Sequence, residues 1–586
     1  MLSSAHGVCS GMHRRPLFAA AVAALLAQSA LPAPAQTSAP TIDDAVAAIR
    51  AYAPIALAEQ GAPGMSVTIT DTGHTIAVIT AGFADVASQT PVTENTRFPI
   101  GSISKSMTAL ALLRLHDRGL VDLNAPVTTY LPWWKLGGAT KPILVHELLS
   151  HTAGVPDDFT YAATGFALAA LRGAPQLFPA GTAWSYSNDG YATVGEIVAA
   201  RSGSSWQDAI ERSVFAPLGM NASSAVFTPA LMSDVATGYL IRDTDVALPT
   251  HPALMPAQKI DFVDAAGSVI STPHDMAAYV RFYLNGGKAD DGTQLLAPAT
   301  FAAMTNADSL ANGKPAGAAR PELDEWPEFY TQYGFGLGIF HTNGDHLIGH
   351  TGGISGYTAC MQANLTRGFG VIAMSNLVEA PLHPCQIVKY AMAVLRAQRL
   401  GEPLPKPPEG PPIPAPVVKN ADYTGTYQGR DRAVVVSEEG GRLVLADGGK
   451  NYQLQPNGDD LFWTDDPALP VYFVAFGRNG KGAVDSFTSG SRFFAGAQYA
   501  GPKHWASPPG SERLAGRYEG WIWGSPLVVR IVVVKGQLTV DGIQPLVAKG
   551  GVFRLGHSTV RFDTPAAGKM QRMWIDGGDL YRVELP

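Results

Sequence analysis

The sequence predicts an α+β domain over residues 36–400, followed by two small all-β, barrel-like domains over residues 419–505 and 506–586. Three observations carry this prediction. A chain of 586 residues is too long for a single hydrophobic core. Helical and strand-like patterns alternate in the first part, whereas only strand-like patterns occur in the last part. Between them, segment 401–418 is rich in proline, which precludes helix and indicates a stiff extended linker.

The mixed pattern of the first domain is clear in its best-defined segments. Apolar runs punctuated by glycine predict strands at 64–70 and 74–80, and helical periodicity predicts helices at 102–118 and 273–284. Thr272-Pro273-His274-Asp275 supplies an N-cap, a proline at the first helical position and a capping acid for the last helix. Such a mixture indicates α+β or α/β structure, and we expect α+β.

The last part of the chain contains short alternating apolar runs separated by glycine or asparagine turns. These runs predict strands at 433–436, 442–445, 527–534 and 537–540. The segment also repeats loosely, because Tyr423-Thr-Gly-Thr-Tyr-Gln-Gly429 is echoed by Leu514-Ala-Gly-Arg-Tyr-Glu-Gly520. Two related β-barrels or sandwiches follow from this repeat.

Composition restricts the class of partner. The chain is 46% hydrophobic and 16% charged, with a formal net charge of −7 that is spread without charge blocks. A nucleic-acid-binding protein usually has a basic excess or a basic stripe, and neither is present in this sequence. We therefore expect no nucleic-acid partner, and a small-molecule or peptide substrate fits better.

Residues 1–35 have the pattern of an export signal. Arg14 and Arg15 precede an apolar run over 17–30, and Ala33-Pro34-Ala35 provides small residues for cleavage. The apolar run is shorter than the ~20 residues that a membrane-spanning helix needs. The sequence thus predicts a periplasmic or secreted protein without stable membrane insertion after signal cleavage.

Two cysteines remain beyond the predicted signal, Cys360 and Cys385. An oxidising compartment would permit them to form a disulfide. Free cysteine is also common as a small core residue. The sequence leaves both alternatives open.

Ser102 and Lys105 form the most informative pair in the chain. The serine begins a strongly apolar predicted helix, and residues three apart share a helix face, so the lysine amine can reach the serine hydroxyl. A serine hydroxyl becomes a good nucleophile when a neighbouring base removes its proton. Lysine is such a base when burial lowers its pKa. The helix N-terminus would in addition stabilise an oxyanion formed on attack.

Serine and lysine are common helix residues, so this spacing is weak evidence without partners. Two further segments supply them. Tyr186-Ser187-Asn188 lies in an aromatic and glycine-rich loop, and His350-Thr351-Gly352-Gly353 lies between two strand-like runs, 333–340 and 357–365.

These three elements, in this order, resemble those of the serine β-lactamase and penicillin-recognising hydrolase family, and most closely its class C branch, which includes esterases and D-aminopeptidases. The resemblance covers roughly residues 40 to 400, with supporting matches at His151-Thr-Ala-Gly-Val-Pro156 and Ala266-Gly267. It implies a β-lactamase-like fold, in which helices and a helical subdomain flank a central antiparallel sheet. A catalytic domain followed by two small β-barrels also resembles the D-aminopeptidase arrangement.

The resemblance also implies roles for individual residues. Ser102 would attack the scissile carbonyl, Lys105 would take its proton, and Tyr186 would relay that proton to the leaving group. Asn188 would hold a carbonyl or amide of the substrate. The remaining substrate-binding and oxyanion residues would be His350, Gly352 and Gly353, with the backbone N–H groups of Ser102 and Gly353 forming the oxyanion hole. This chemistry requires no metal and no organic cofactor.

One position departs from the commonest family pattern. Most penicillin-recognising members have lysine where this chain has His350, and the charge of that lysine helps to anchor the β-lactam carboxylate. Histidine near neutral pH is largely uncharged unless a neighbour raises its pKa. We therefore expect a peptidase or amidase that acts on small or D-residue-containing peptides. The alternatives are a carboxylesterase, a β-lactamase or penicillin-binding protein, and a non-catalytic binding protein.

Overall fold

The computed structural model describes residues 39–156, 164–227, 231, 234–241, 254–257, 264–316, 332–378, 384–408, 419–458, 460–464, 466–469, 473–522, 525–549, 552–555, 558–575 and 578–583. The predicted signal segment and much of the predicted linker lie outside these residues. Among the helices in these ranges, none combines the length and apolar character needed to cross a membrane.

An eight-stranded antiparallel sheet organises the first part of the chain. The strands of this part are β1 Gly64–Asp71, β2 Thr75–Asp85, β3 Thr90–Pro91, β4 Phe98–Pro99, β5 Tyr239–Ile241, β6 Leu254–Pro256, β7 Ile270–Ser271, β8 Gln332–Tyr333, β9 Gly338–Thr342, β10 Asp345–Ile354, β11 Tyr357–Asn364 and β12 Phe369–Ser375. The main sheet has the order β3-β2-β1-β12-β11-β10-β9-β8, while β4 pairs with β7 and β5 with β6. The chain therefore enters and leaves this sheet through β1 and β12, which are neighbours.

Helices cover both faces of the sheet. They are α1 Ile42–Gln60, α2 Ser104–Asp117, α3 Val127–Tyr130, α4 Val145–Leu149, α5 Thr164–Ala170, α6 Asn188–Ser202, α7 Trp206–Ile210, α8 Ala216–Leu218, α9 Asp264–Gly267, α10 Pro273–Leu284, α11 Pro298–Thr305 and α12 Cys385–Leu400. Alternate residues of β12 show the two layers, because Val371 packs with α1 and α12 whereas Ile372 packs in the cluster that contains α2, α6 and α10. The central strands β11 and β12 are thus buried on both faces, whereas the outer strands β2, β3 and β9 are partly exposed.

Cys360 and Cys385 form a disulfide, with their Cα atoms 5.2 Å apart. Cys360 lies in β11 and Cys385 is the first residue of α12, so the bond joins this helix to the centre of the sheet. Both residues are buried. Of the two alternatives that the sequence left open, the structure has the bonded one.

The last part of the chain is built from two antiparallel β-structures. The first is a closed barrel of β13 Gly425–Gln428, β14 Ala433–Glu439, β15 Arg442–Asp447, β16 Lys450–Gly458, β17 Leu461–Thr464, β18 Val474–Arg478, β19 Val484–Ser489 and β20 Arg492–Gly496. After the short helix α13 Ser511–Leu514, the second is a nine-stranded sheet of β21 Gly516–Ile522, β22 Ser525–Val534, β23 Gln537–Val540, β24 Gln544–Pro545, β25 Val547–Lys549, β26 Val552–Leu555, β27 Ser558–Ala566, β28 Lys569–Ile575 and β29 Gly578–Val583. The predicted fold class, α+β followed by two barrel-like β regions, is confirmed.

The predicted internal repeat corresponds to a shared local structure. Tyr427 donates its hydroxyl hydrogen to the carbonyl oxygen of Tyr423 at 2.8 Å, and Tyr518 donates to that of Leu514, also at 2.8 Å. Each tyrosine is buried in the first strand of its sheet, directly after a short helix. The same side-chain-to-backbone bond therefore fixes the start of both β-structures.

Candidate active site

Ser102 lies at the point where an extended segment turns into a buried helix. After β4, Gly101–Ile103 forms a 3₁₀ turn, and α2 continues from Ser104. Lys105 is completely buried, as are nearly all residues of α2, whereas Ser102 is partly exposed. The predicted helix thus begins with a tighter turn, which leaves the serine partly exposed beside the buried lysine.

The amine of Lys105 contacts three oxygen atoms. Its Nζ lies 3.0 Å from Oγ of Ser102, 2.6 Å from Oδ1 of Asn188 and 2.8 Å from the carbonyl oxygen of Ala266. These groups come from α2, α6 and α9, which pack against one another. Two of the three predicted motifs, those of Ser102 with Lys105 and of Tyr186 with Asn188, are thus joined through one nitrogen atom.

This set of contacts suits both protonation states of the amine. A charged ammonium has three N–H groups, one for each oxygen. A neutral amine has two, and when Asn188 and the carbonyl of Ala266 accept them, the lone pair is left for the hydroxyl of Ser102. The 3.0 Å contact can therefore reverse its direction, with Ser102 donating to the neutral amine and accepting from the charged one. Proton transfer along this contact needs no movement of heavy atoms.

Tyr186 contributes an aromatic ring to the same site. The centre of its ring lies 4.7 Å from Nζ of Lys105 and 6.3 Å from the ring of His350. It precedes α6, whose N-cap is Ser187 and whose first residue is Asn188. One chain reversal therefore brings both Tyr186 and Asn188 to the lysine.

His151 contacts Tyr186 and the backbone on both sides of it. Its carbonyl oxygen accepts the N–H of Ser185 at 2.9 Å, and its Nδ1 accepts the N–H of Ser187 at 3.1 Å. Its ring packs on the ring of Tyr186 with centroids 4.3 Å apart. His151 thus binds the backbone on both sides of Tyr186 and supports the ring between them.

The protonation state of His151 follows from its surroundings. It is 2% exposed, and burial, followed by the charges of Lys105 and His350, lowers its pKa well below the usual value. Because Nδ1 accepts a hydrogen bond, the proton of the neutral ring lies on Nε2. That buried Nε2 has no hydrogen-bond partner among the residues that the structure describes. His151 also has a backbone φ of 60°, a value that is uncommon outside glycine and asparagine.

Asn188 has its amide group oriented by Lys105. Since Oδ1 accepts from the lysine at 2.6 Å, the other polar group of the side chain is the Nδ2 amide, a donor. A donor pairs with a carbonyl oxygen. Of the two options that the resemblance implied, binding of a substrate carbonyl is the one this orientation favours.

His350 lies in β10 but is 3% exposed. Its Nε2 is 2.9 Å from the hydroxyl of Tyr333, and its Nδ1 contacts the carbonyl oxygen of Thr351. Burial, and to a smaller degree the charge of Lys105, lowers the pKa of His350 to about 3. The imidazole is therefore neutral at physiological pH and forms part of the floor of the site, so it offers no positive charge to a substrate.

Glycines bring β10 against the turn that carries Ser102. A Cβ atom on Gly352 would lie 1.9 Å from the carbonyl oxygen of Ile100, and one on Gly101 would lie 2.7 Å from the backbone nitrogen of Gly353. Gly101 also has a φ of +50°. A Cβ on Gly353, in contrast, would meet no atom within 4 Å. The backbones at Ser102 and Gly353 are thus adjacent, and Gly353 faces open space.

The edge of β10 is available at this point. In the described residues, β9 pairs with β10 only from Asp345 to Gly349, whereas β11 pairs with it as far as Ile354. On the side that β9 leaves unpaired, Gly352 lies against the backbone of Ile100 and Ser102.

Sequence reasoning identified the candidate catalytic groups and missed residues that contact them. The segments containing His151 and Ala266 were noted only as supporting matches to the family, and Tyr333 was assigned only to a strand-like run. The signals available were a histidine directly after a predicted helix and small residues before a capped helix. Neither pattern shows which side chain each backbone group will contact.

A partly exposed serine at a helix N-terminus, with a buried lysine amine, a tyrosine and a strand-edge glycine around it, defines a serine hydrolase. A family model described as Beta-lactamase matches residues 41–385, and the chain belongs to this family.

Two relatives support this assignment over most of their length. Penicillin-binding protein 4 of Amycolatopsis lactamdurans is 29% identical over 385 residues, which are 63% of this chain and 94% of that protein. Penicillin-binding protein 4* of Bacillus subtilis (strain 168) is 26% identical over 437 residues, covering 69% of this chain and 88% of that protein.

Among solved structures, the octameric penicillin-binding protein homologue from Pyrococcus abyssi has the same fold with a TM-score of 0.55 and 24% sequence identity. The match covers 77% of this chain and 99% of that one.

Proposed function

We propose that this protein is a peptidase or amidase that acts through an acyl-enzyme on Ser102 and cleaves small peptides or amides, including those with a D-residue beside the scissile bond. The contact of Lys105 Nζ with Ser102 Oγ at 3.0 Å carries the proposal, because it supplies a nucleophile with its base.

In the proposed mechanism, the substrate carbonyl enters the edge of β10 and its oxygen faces the N–H groups of Ser102 and Gly353. Lys105 takes the proton of Ser102 as the serine oxygen attacks the carbonyl carbon. Tyr186, whose ring lies 4.7 Å from the amine, relays that proton to the leaving nitrogen. Water then attacks the acyl-enzyme, and the proton of this water returns to the serine oxygen as the ester bond breaks.

The neutral side chain of His350 favours amide substrates whose binding does not need a positive charge to hold a carboxylate. With its pKa lowered to about 3, His350 supplies no charge where a β-lactam carboxylate would be held. A charge about 4 Å away would contribute about 4 kcal/mol at an effective dielectric of 20, whereas a neutral hydrogen bond contributes about 1 kcal/mol net. The two relatives are named as penicillin-binding proteins, so a β-lactamase or penicillin-binding activity is the outcome that would overturn this preference.

A substrate panel tests the proposal. The panel contains D- and L-aminoacyl p-nitroanilides, p-nitrophenyl esters and a chromogenic cephalosporin, each measured with the wild type and with Ser102→Ala. We expect the highest kcat/KM on a D-aminoacyl anilide and loss of all hydrolysis in the variant. Hydrolysis of esters alone would establish the carboxylesterase alternative, and hydrolysis of none, with binding retained, the non-catalytic one.

We also propose that the protein is exported and acts in the periplasm or outside the cell. The predicted signal over residues 1–35 motivates this proposal, and the Cys360–Cys385 disulfide supports it, because disulfides are rare in reducing compartments. Expression of the full chain in a bacterium, followed by fractionation and N-terminal sequencing, tests it. We expect a mature chain that begins at Gln36 in the exported fraction. An uncleaved chain that stays in the cytoplasm would contradict the proposal.

A further inference from the structure

A large cleft lies between the two β-structures at the end of the chain. Its volume is about 1090 Å³. One wall comes from residues 428–432 and 491–494 of the closed barrel, and the other from residues 515–517 and 530–536 of the nine-stranded sheet. The connecting segment over 503–512 completes the lining. Ligand pockets usually measure about 300–1000 Å³, so this cleft has room for several rings of a bound molecule.

The cleft is strongly basic although the chain is acidic. Two acidic residues line it, Asp431 and Glu512, and the cationic residues in its lining are Arg430, Arg432, Arg492, Lys503, Arg517, Arg530 and Lys535. The whole chain has a formal net charge of −7. The positive potential is therefore a local feature of this cleft.

Several of these cations are not neutralised by a protein carboxylate. Arg432 pairs with Asp447 at 2.8 Å, and Arg517 pairs with Glu519. Arg430 and Lys503 are exposed and make no hydrogen bond or ion pair with any residue that the structure describes. Their charges are available to an anionic ligand, and guanidinium groups bind carboxylate and phosphate through paired hydrogen bonds.

Two aromatic side chains lie beside these charges. The rings of Phe493 and Trp505 meet edge to face with centroids 4.9 Å apart, and both side chains are half-buried. Nζ of Lys535 lies 5.2 Å from the centre of the Phe493 ring. A partly exposed aromatic pair next to cations suits a ligand that has both rings with an apolar face and acidic groups.

We propose that this cleft binds an acidic oligosaccharide, a chain of a few sugar rings that carries carboxylate or phosphate groups. Sugar rings would pack on Phe493 and Trp505, and the acidic groups would contact Arg430 and Lys503. A short single-stranded nucleic acid shares some of this chemistry. The export that we propose above favours an extracellular glycan, and the net charge of −7 disfavours a long polyanion outside the cleft.

The position of the cleft gives this binding a consequence for hydrolysis. Strand β22 contributes Arg530 to the cleft and also packs against β5 of the first part of the chain. A glycan held in the cleft would therefore keep the catalytic part of the protein at a surface that carries this polymer. The proposal does not depend on which bond Ser102 cleaves.

Calorimetric titration of the full chain tests the proposal. The probes are tetragalacturonate, a phosphorylated maltotetraose, uncharged maltotetraose, tetra-L-glutamate and the oligonucleotide (dT)₄, at 50 and 300 mM salt. The variants are Arg430→Glu/Lys503→Glu and Trp505→Ala. Arg50→Glu/Lys288→Glu, which makes the same change of charge at two exposed positions of the first part of the chain, is the matched control.

We expect salt-sensitive binding of at least one acidic oligosaccharide, and no binding of maltotetraose. Affinity should fall at least about tenfold in Arg430→Glu/Lys503→Glu and in Trp505→Ala, and stay unchanged in the control. The ratio of the affinities for tetragalacturonate and phosphorylated maltotetraose shows whether the cleft prefers carboxylate or phosphate. Hydrolysis of a small ester should be the same in all four proteins, which separates this proposal from that for Ser102.

Three results would overturn the proposal. One is the absence of binding by both acidic oligosaccharides. Another is an equal loss of affinity in the Arg50→Glu/Lys288→Glu control, which would show that net charge alone is responsible. The third is binding of tetra-L-glutamate or (dT)₄ as tight as that of the acidic sugars, because the cleft would then recognise charge or bases and not sugar rings.

Discussion

The ring of His151 packs against the ring of Tyr186 with centroids 4.3 Å apart, while the backbone carbonyl and Nδ1 of His151 bind the N–H groups on either side of that tyrosine. A neutral, buried imidazole thereby fixes the group that we propose as the proton relay. We therefore propose His151 as a positioning residue, since it contacts the ring of Tyr186 and the backbone on both sides of it.

This relationship predicts a graded response to substitution of His151. Asparagine tolerates positive φ and has an acceptor oxygen in place of Nδ1 but lacks the ring, so His151→Asn should lose part of kcat and keep more of it than a variant without the acceptor. His151→Gly relieves the backbone at φ 60° but removes the acceptor and the ring, and should lower kcat by about 10² with little change in KM. Steady-state kinetics and unfolding of both variants check this. Equal activity in the two variants would show that the acceptor atom of His151 does not position Tyr186.

The contact of β10 with the Ser102 turn predicts a contrast between two adjacent glycines. A methyl group on Gly352 collides with the carbonyl of Ile100, whereas one on Gly353 meets no protein atom. We expect Gly352→Ala to lower kcat/KM by about 10² to 10³, because it separates the two proposed oxyanion donors, and Gly353→Ala to lower it much less for a small acetyl ester. The measurement is kcat/KM with thermal unfolding as the check on folding. A larger loss in Gly353→Ala would contradict this packing.

The lowered pKa of His350 predicts a specific dependence of stability on pH. At pH 7 the imidazole is neutral in both the folded and the unfolded chain. Below about pH 6.5 the unfolded chain takes up a proton that the folded chain does not accept until about pH 3, so the free energy of unfolding falls as pH falls through this window. The loss should be about 1.4 kcal/mol per pH unit.

Denaturation of the wild type and of His350→Asn is measured from pH 7.5 to 4.5. The contribution of His350 is the difference between the two slopes of unfolding free energy against pH. Because His350 stays neutral over this range, its titration should not contribute to the pH profile of kcat/KM. The profiles of the wild type and His350→Asn should therefore have the same shape. Parallel stability curves for the two proteins would mean that His350 is not held neutral by burial.

The disulfide predicts a stabilising effect that reduction removes. It closes a sequence separation of 25 residues, for which a cross-link contributes about 3 kcal/mol to the free energy of unfolding. Cys360→Ala/Cys385→Ala should be less stable by about that amount, and dithiothreitol should destabilise the wild type but not the double variant. Equal sensitivity of the two proteins to dithiothreitol would show that the thiols are not paired.

The fold was largely predictable because each layer has its own local pattern. The helix Pro273–Leu284 begins and ends where the sequence indicated, since Thr272 accepts from the N–H of Asp275 and the proline takes the first helical position. The strands of the two β-structures also follow local alternation. The 3₁₀ turn at Ser102 was not predicted, because it depends on the contact between Gly101 and Gly353, which are far apart in sequence.

The candidate site was predictable in its chemical groups and not in its environment. Ser102 and Lys105 meet as expected, because residues three apart share a helix face. The contact of Lys105 with Asn188 was not predicted, since it depends on how α6 packs on α2. The burial of His350 and its contact with Tyr333 were not predictable, since both depend on how β8 folds back onto the sheet. A sequence motif identifies a titratable group, whereas its pKa is determined by the tertiary contacts.

Covalent labelling of the nucleophile tests the central claim most directly. The wild type, Ser102→Ala, Lys105→Ala and Ser106→Ala are treated with a fluorophosphonate, and the labelled peptide is found by mass spectrometry. Ser106, whose hydroxyl is buried against Tyr279, is the control serine on the same helix. We predict one label on Ser102 in the wild type and in Ser106→Ala, none in Ser102→Ala, and a labelling rate lower by about 10⁴ or more in Lys105→Ala. Labelling that persists in Ser102→Ala, or that proceeds at the wild-type rate in Lys105→Ala, would contradict the account.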